Sequence, residues 1–380
     1  MSSPRQKFLN YVRQVPSARQ VVSPFLPKPE LVNKTLSYLG LPVGQDYNDV
    51  LDSLPNRIQN KIENEIRLSQ ELDYEPMFMS SCSELIFPWK EDKSCSNDDW
   101  IVSTLSTSEG EWVRQVSRRF GLFGDESGFP VKTEADHQKL VMVCEQVEER
   151  ESEIRRYFRE FRERVGEDGV IVIGHPHVTW LAYQISQQNM VLHAIDYPGA
   201  FKRSMEAICK TSFFVFDIAM QEGIDFMSES SYGLEMISPE QFENQDLHYT
   251  RILADWTHER GGLFWYHNCG KTRDLIRSGQ FDHLGADVIE TIAPPPEGDN
   301  DLAESRRHLN SAICSKGNLS LGLLRDGTVE EVVQATKQMV QAVQGYTHIH
   351  STADAVFAET PAENFVAFLQ TAREESERLA

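Results

Sequence analysis

The chain has 380 residues, with 37 basic and 58 acidic side chains, a formal net charge of −21 and a pI near 5.0. So acidic a chain gains nothing from counterion release on phosphates, which argues against nucleic acid and anionic membrane as partners. Forty per cent hydrophobic residues exclude a disordered chain, no apolar run is long enough to span a bilayer, and six cysteines without framework spacing point to reduced thiols in the cytoplasm.

The first 72 residues read as helices, over Pro4 to Val15, Pro29 to Leu39 and roughly Leu54 to Leu72. They are polar enough to lie on a surface, so the expected division is an N-terminal helical layer, 1–72, on a body formed by 73–380 within one compact unit. From there short apolar runs alternate with helical patterns. The runs are Glu75 to Met79, Val170 to Ile173, Ile224 to Met227, Leu263 to Tyr266, Asp287 to Ile289, Ala312 to Cys314 and Tyr346 to Ile349. Glu145 to Val165 carries the helical stripe Val147, Ile154, Phe158, Phe161 and Val165, and Thr328 with Glu331 forms a capping box that opens another helix. Strand–helix alternation of this length means parallel strands, and so many of them predict a (β/α)8 TIM-type barrel. Seven strands are visible and the eighth is not. Trp100 to Pro130 reads as a β-hairpin excursion over the barrel mouth.

Barrel chemistry sits at the C-terminal ends of the strands. The polar residues there are His175 and His177, Glu229, His267 and Cys269, Glu290, Cys314, and His350 with Asp354. His267 and Cys269 are two apart, so they project to one side, and both are sound zinc ligands; Gly270 lets the chain turn sharply after them. The bland alternative is a hydrogen-bonded histidine beside a buried cysteine. Glu229 suits a general base or a metal ligand, against a loop carboxylate paired with a surface cation. Glu290, ahead of the rigid Pro294-Pro295-Pro296, is equally open to a structural or a functional role. Gly317-Asn318 reads as a strand-to-loop turn. No phosphate loop, dinucleotide fingerprint or nucleophile elbow is present in the sequence.

The order and spacing of several short segments carry a resemblance over nearly the whole chain. They are Ser3 to Leu9, Ile237-Ser238-Pro239-Glu240, His267-Asn268-Cys269-Gly270, Gly285 to Val288, Gly317-Asn318, Gly327 to Val332 and Glu359 to Asn364. Together they resemble the uroporphyrinogen decarboxylase superfamily, in particular its cobalamin-related methyltransferase branch. That resemblance implies a zinc ion held by the His-x-Cys pair and a second cysteine, and a methyl group passed through a corrinoid (cobalamin) protein to a thiol. His267 and Cys269 match the pair; Asp354 stands where the second cysteine would be. The decarboxylases' central aspartate would correspond to Glu84, but their Arg-rich N-terminal signature is missing. The expected function is zinc-dependent methyl transfer between a small substrate and a corrinoid protein or thiol. Its metal ligands are His267, Cys269 and Asp354, with Glu229, Glu290 and Glu84 as candidate catalytic groups. The rivals are a lyase or decarboxylase on the same barrel, and a binding protein that has lost catalysis. Trp89 and Trp112 are expected near the mouth, where a flat macrocycle would dock.

Overall fold

The computed structural model describes residues 2–16, 18–44, 56–80, 86–107, 110–117, 129–174, 178–230 and 238–379. Helices α1 (Pro4–Val12) and α2 (Pro29–Tyr38) open on a proline at the first helical position, and α3 (Asn56–Leu72) lies where the helical reading of Leu54 to Leu72 expects it. At α1 the Ser3 hydroxyl accepts from the Gln6 N–H, capping the first turn.

Seven parallel strands follow: β1 (Met77–Ser80), β5 (Val170–Ile173), β6 (Phe226–Ser230), β7 (Leu263–His267), β8 (Val288–Glu290), β9 (Cys314–Leu319) and β10 (His348–Thr352). They lie side by side in chain order in one curled sheet, the α/β barrel. Each begins in an apolar run read from the sequence. Between β1 and β5, a separate antiparallel sheet joins β2 (Lys90–Glu91), β3 (Trp100–Thr107) and β4 (Gly110–Ser117); β3 and β4 form the expected hairpin, and β2 adds a third strand that the sequence reading does not include.

The gap between β10 and β1 is filled by the segment Val21 to Ser23. The Ser23 N–H donates to His350 O and the His350 N–H to Val21 O, while on the other side the Glu75 N–H donates to Val22 O. This is the eighth staves' place, taken by three residues from between α1 and α2. Arg373, on the C-terminal helix Ala362–Leu379, secures the seam. Its guanidinium donates to Gln20 O, Asp73 O and the buried Glu75 carboxylate, at 2.7, 2.8 and 2.7 Å.

Side chains alternate across the sheet, as strand geometry requires. Met77, Val170, Val172, Phe226, Leu263, Trp265, Val288, Cys314 and Ile349 fill the barrel interior, together with Phe8, Leu9 and Tyr11 of α1. Ile171, Ile173, Met227, Phe264, Tyr266 and Ile289 face the surrounding helices. Burying each large apolar side chain contributes roughly 1.5–3 kcal/mol. The Thr328–Glu331 capping box forms as expected, with the Thr328 N–H on the Glu331 carboxylate at 2.8 Å. The span Glu145 to Val165 is instead divided, a 3-10 turn (Gln146–Arg150) preceding the helix Glu151–Val165. No described helix is long and apolar enough to cross a membrane.

Candidate metal centre

His267 ends β7, and its in-register neighbours are Ser230 on β6 and Glu290 on β8; Glu290 in turn stands opposite Lys316 on β9. Parallel register sends these four side chains to the same, inner side of the sheet. After His267 the chain leaves the strand and turns at Gly270, whose φ of 80° favours glycine. This brings Cys269 back over the strand end, with Sγ 2.9 Å from His267 Nε2. The other ring nitrogen, Nδ1, lies 3.2 Å from Glu290 Oε1, and the ring stacks on Phe25 with centroids 5.2 Å apart. Asp354, just beyond β10, completes the group. One ligand atom from each of His267, Cys269 and Asp354 lies within 4.8 Å of the others.

The electrostatics follow from burial. Glu290 and Lys316 are both fully buried and pair at 2.8 Å. Burial alone would raise the Glu290 pKa, but Lys316 and His267 outweigh it and hold the carboxyl down at about 2. Burial likewise lowers Lys316, opposed by Glu290. Burial disfavours charge on His267, yet Cys269 and Glu290 overcome it and lift its pKa well above the usual histidine range. Imidazole, thiolate and carboxylate are the donor types zinc takes, and a carboxylate on the far ring nitrogen is the usual support for a ligating histidine. Nitrogen and sulfur ligands on a tetrahedral zinc stand roughly 3.5 Å apart, so His267 and Cys269 need to part only slightly from their hydrogen bond to accept an ion. The residues fit the metal.

Other candidate positions fall elsewhere. Glu229 is fully buried but alternates with Ser228 and Ser230, so it lies on the helix-facing side with Tyr266, its partner in register, and away from the row of His267. Its Oε1 accepts from the Ser230 N–H, and its charge acts on Asp246 and Cys209. Cys314 begins β9 rather than ending a strand, so it sits deep in the barrel, where burial pushes its thiol up to about 12. His350 also faces outward, bonded to Gln20 Oε1 at 2.9 Å. Gly317 and Asn318 are not a turn: β9 runs through them to Leu319. Glycine is required there because a Cβ on residue 317 would lie 2.0 Å from Thr291 O. Asp354 caps no helix, since the next one starts at Ala362 and its carboxylate accepts from the Ala355 N–H. Glu84, His175 and His177 lie outside the described residues. Trp112 is buried, and the Arg114 guanidinium covers a face of Trp89 at 4.6 Å. Phe25 and Lys316 are not among the residues to which the sequence points. The signal for Lys316 was a charged residue two positions after Cys314, on the same strand face.

Residues 127–375 match the family described as Uroporphyrinogen decarboxylase (URO-D). One relative, the uroporphyrinogen decarboxylase of Trichodesmium erythraeum (strain IMS101), is 25% identical over 262 residues, which is 66% of this chain and 70% of the relative. Among solved structures, a methyltransferase from Methanosarcina mazei superposes with a TM-score of 0.68 at 14% identity, covering 98% of this chain and 99% of its own. A B12-independent methionine synthase from Shewanella sp. W3-18-1, in complex with selenomethionine, gives a TM-score of 0.50 at 10% identity, over 95% and 98%. At these identities the two structures show a common fold.

Proposed function

This chain belongs to the uroporphyrinogen decarboxylase family, and from that premise we propose that it is a zinc-dependent methyltransferase. It would move a methyl group between a small substrate and a thiol or a corrinoid protein, in the cytoplasm. The observation that carries this reading is the convergence of His267, Cys269 and Asp354 at the barrel mouth. Likeness of fold to a methyltransferase and a methionine synthase is in keeping with it. Bound zinc supplies Lewis acidity, which lowers the pKa of a coordinated hydroxyl or thiol.

The chain's own residues do the rest. Glu290 fixes the ring of His267 through Nδ1 and so presents Nε2 toward Cys269 and Asp354. Phe25 covers one face of that ring, keeping water from it. Asp354 is a hard oxygen donor where a sulfur would otherwise stand, so the site favours a substrate that offers oxygen, such as an alcohol, ether or carboxylate. The second reading is a carboxy-lyase that needs no metal, favoured by the name of the Trichodesmium relative.

Metal analysis separates the two. Protein purified without chelators should carry about one zinc per chain, since zinc with three protein ligands binds tightly at neutral pH. His267→Ala and Cys269→Ala should each lose it while circular dichroism stays that of the wild type. A wild-type protein without metal, or zinc that persists in both variants, would refute the methyltransferase reading.

A further inference from the structure

Two residues beyond the Val21 to Ser23 stave the chain places Phe25, a buried side chain whose ring stacks on that of His267 with 27° between the planes. Its backbone grips the other side of the site. The Phe25 N–H donates to Thr352 Oγ1 at 3.3 Å, and that hydroxyl donates in turn to Asp354 O at 2.8 Å. The Phe25 carbonyl accepts from the Val356 N–H at 3.1 Å. These two bonds bracket Asp354, one reaching the residue two positions before it and the other the residue two positions after. β10 ends at Thr352, so Asp354 lies beyond the strand, where these bonds and one from the Ala353 N–H to Leu319 O hold the chain. His267 ends β7, which β8 and β9 separate from β10. Phe25 is thus in contact with one candidate ligand and tied to the turn that carries another. The next residue, Leu26, has a φ of 40°, in the left-handed region that a leucine avoids. Such a conformation persists where the surroundings over-determine it, and it recurs at ligand clamps. Here Phe25 is anchored on one side, and Pro27 allows little freedom on the other.

We propose that Phe25 is a positioning residue for the metal: it sets the His267 ring and the Asp354 turn at ligating distance from one another, so that zinc loading and docking of the segment 21–28 favour each other. The inference rests on the zinc reading above. Coupling of this kind is reciprocal. Whatever factor the docked segment adds to zinc affinity, bound zinc adds to the docking equilibrium. The same segment closes the barrel between β10 and β1, so the metal would strengthen the seam through Phe25.

The test uses full-length protein, as wild type and as Phe25→Ala, Thr352→Val, Asp354→Ala and the double variant Thr352→Val with Asp354→Ala. Zinc affinity is read by competition with a chelator. Docking of the segment is read by hydrogen exchange at the Ser23, Phe25 and Lys28 amides, with and without zinc. Phe25→Ala and Thr352→Val should each weaken zinc binding by about tenfold, the usual cost of losing support around a ligand. Zinc should slow exchange at the three amides of the wild type by about the same factor, and Phe25→Ala should abolish that protection. Once Asp354 is alanine, Thr352→Val should cost nothing further, because the hydroxyl acts through that residue. If Phe25 only fills space, the variants will lose stability yet bind zinc as the wild type does, which overturns the inference. If Phe25→Ala does not fold, Thr352→Val decides, since valine keeps the shape of threonine: weakened zinc binding supports the inference and unaltered binding overturns it. Wild-type protein that binds no zinc refutes the zinc reading and this inference with it. Zinc that binds the wild type, Phe25→Ala and Thr352→Val equally refutes this inference alone.

Discussion

Replacing Arg373 by methionine should open the seam at which the barrel closes. The guanidinium, with its side chain only 7% exposed, makes a 2.7 Å ion pair with Glu75 and bonds to the carbonyls of Gln20 and Asp73. Methionine keeps most of the apolar volume, so the loss is electrostatic. Removing one partner of a buried pair costs about 3–5 kcal/mol. The two carbonyls add little, because the neighbouring Asp73 side chain is 54% exposed and water can reach this edge. A loss of about 4 kcal/mol follows. A chain of this length gains roughly 0.8 kcal/mol/K of unfolding entropy, so the midpoint in a thermal melt should fall by about 5 °C. Burial already raises the Glu75 pKa, with Arg373 and the Val22 N–H opposing it. A folded-state pKa above the unfolded one contributes stability that is present in acid and lost as pH rises through the folded value. The deficit of the variant should therefore widen with pH. Adding Glu75→Gln should restore roughly 2 kcal/mol by removing the uncompensated charge. A single variant that melts within about 1 °C of wild type, or a double variant no more stable than the single one, would refute this account of the seam.

Three further outcomes can be checked. Asp246 is buried on a π-helical turn (Phe242–Leu247), where burial and then Glu229 push its carboxyl up to about 8; its contribution to stability should be lost as pH rises through about 8. Urea denaturation between about pH 4 and pH 8 should show a decline with a slope of up to about 1.4 kcal/mol per pH unit that levels off above the folded value, which Asp246→Asn should abolish. Gly317→Ala should destabilise by more than about 3 kcal/mol in the same assay, because its φ is +138° and its Cβ would collide with Thr291 O. Asp354→Ala should weaken zinc binding at least about a hundredfold in chelator competition, whereas Asp354→Cys should retain zinc and shift reactivity toward thiol substrates. Unchanged zinc affinity in Asp354→Ala would remove Asp354 from the ligand set.

Seven strands were legible because parallel strands covered on both faces read as short apolar runs, and Val170 to Ile173 is buried throughout. The Val21 to Ser23 segment was not legible. Three residues between a glutamine and a proline carry no periodicity, and only the partners His350 and Glu75, far along the chain, make them a stave. His267, Cys269 and Asp354 are singled out as candidate metal ligands by spacing and resemblance, and the structure brings the three side chains close together. Glu229 was placed at the mouth by its position near a strand end, without regard to parity; counting by twos from the inward Phe226 sends it outward. Lys316 is not legible because Gly317-Asn318 reads as a turn, whereas β9 continues through it.

Ser230, His267, Glu290 and Lys316 occupy a single rung across four neighbouring strands. Their relative positions are thus fixed by backbone hydrogen bonding of the sheet. Loops vary readily in sequence and length while a barrel frame does not. Evolution can therefore exchange the segments over the mouth and alter substrate choice without disturbing how the rung is wired. Under the zinc reading the same rung would also act as a gauge of correct folding. A slip of one strand by one residue would turn its member from the interior to the helix layer, so metal capture would report that neighbouring strands had locked in the right register.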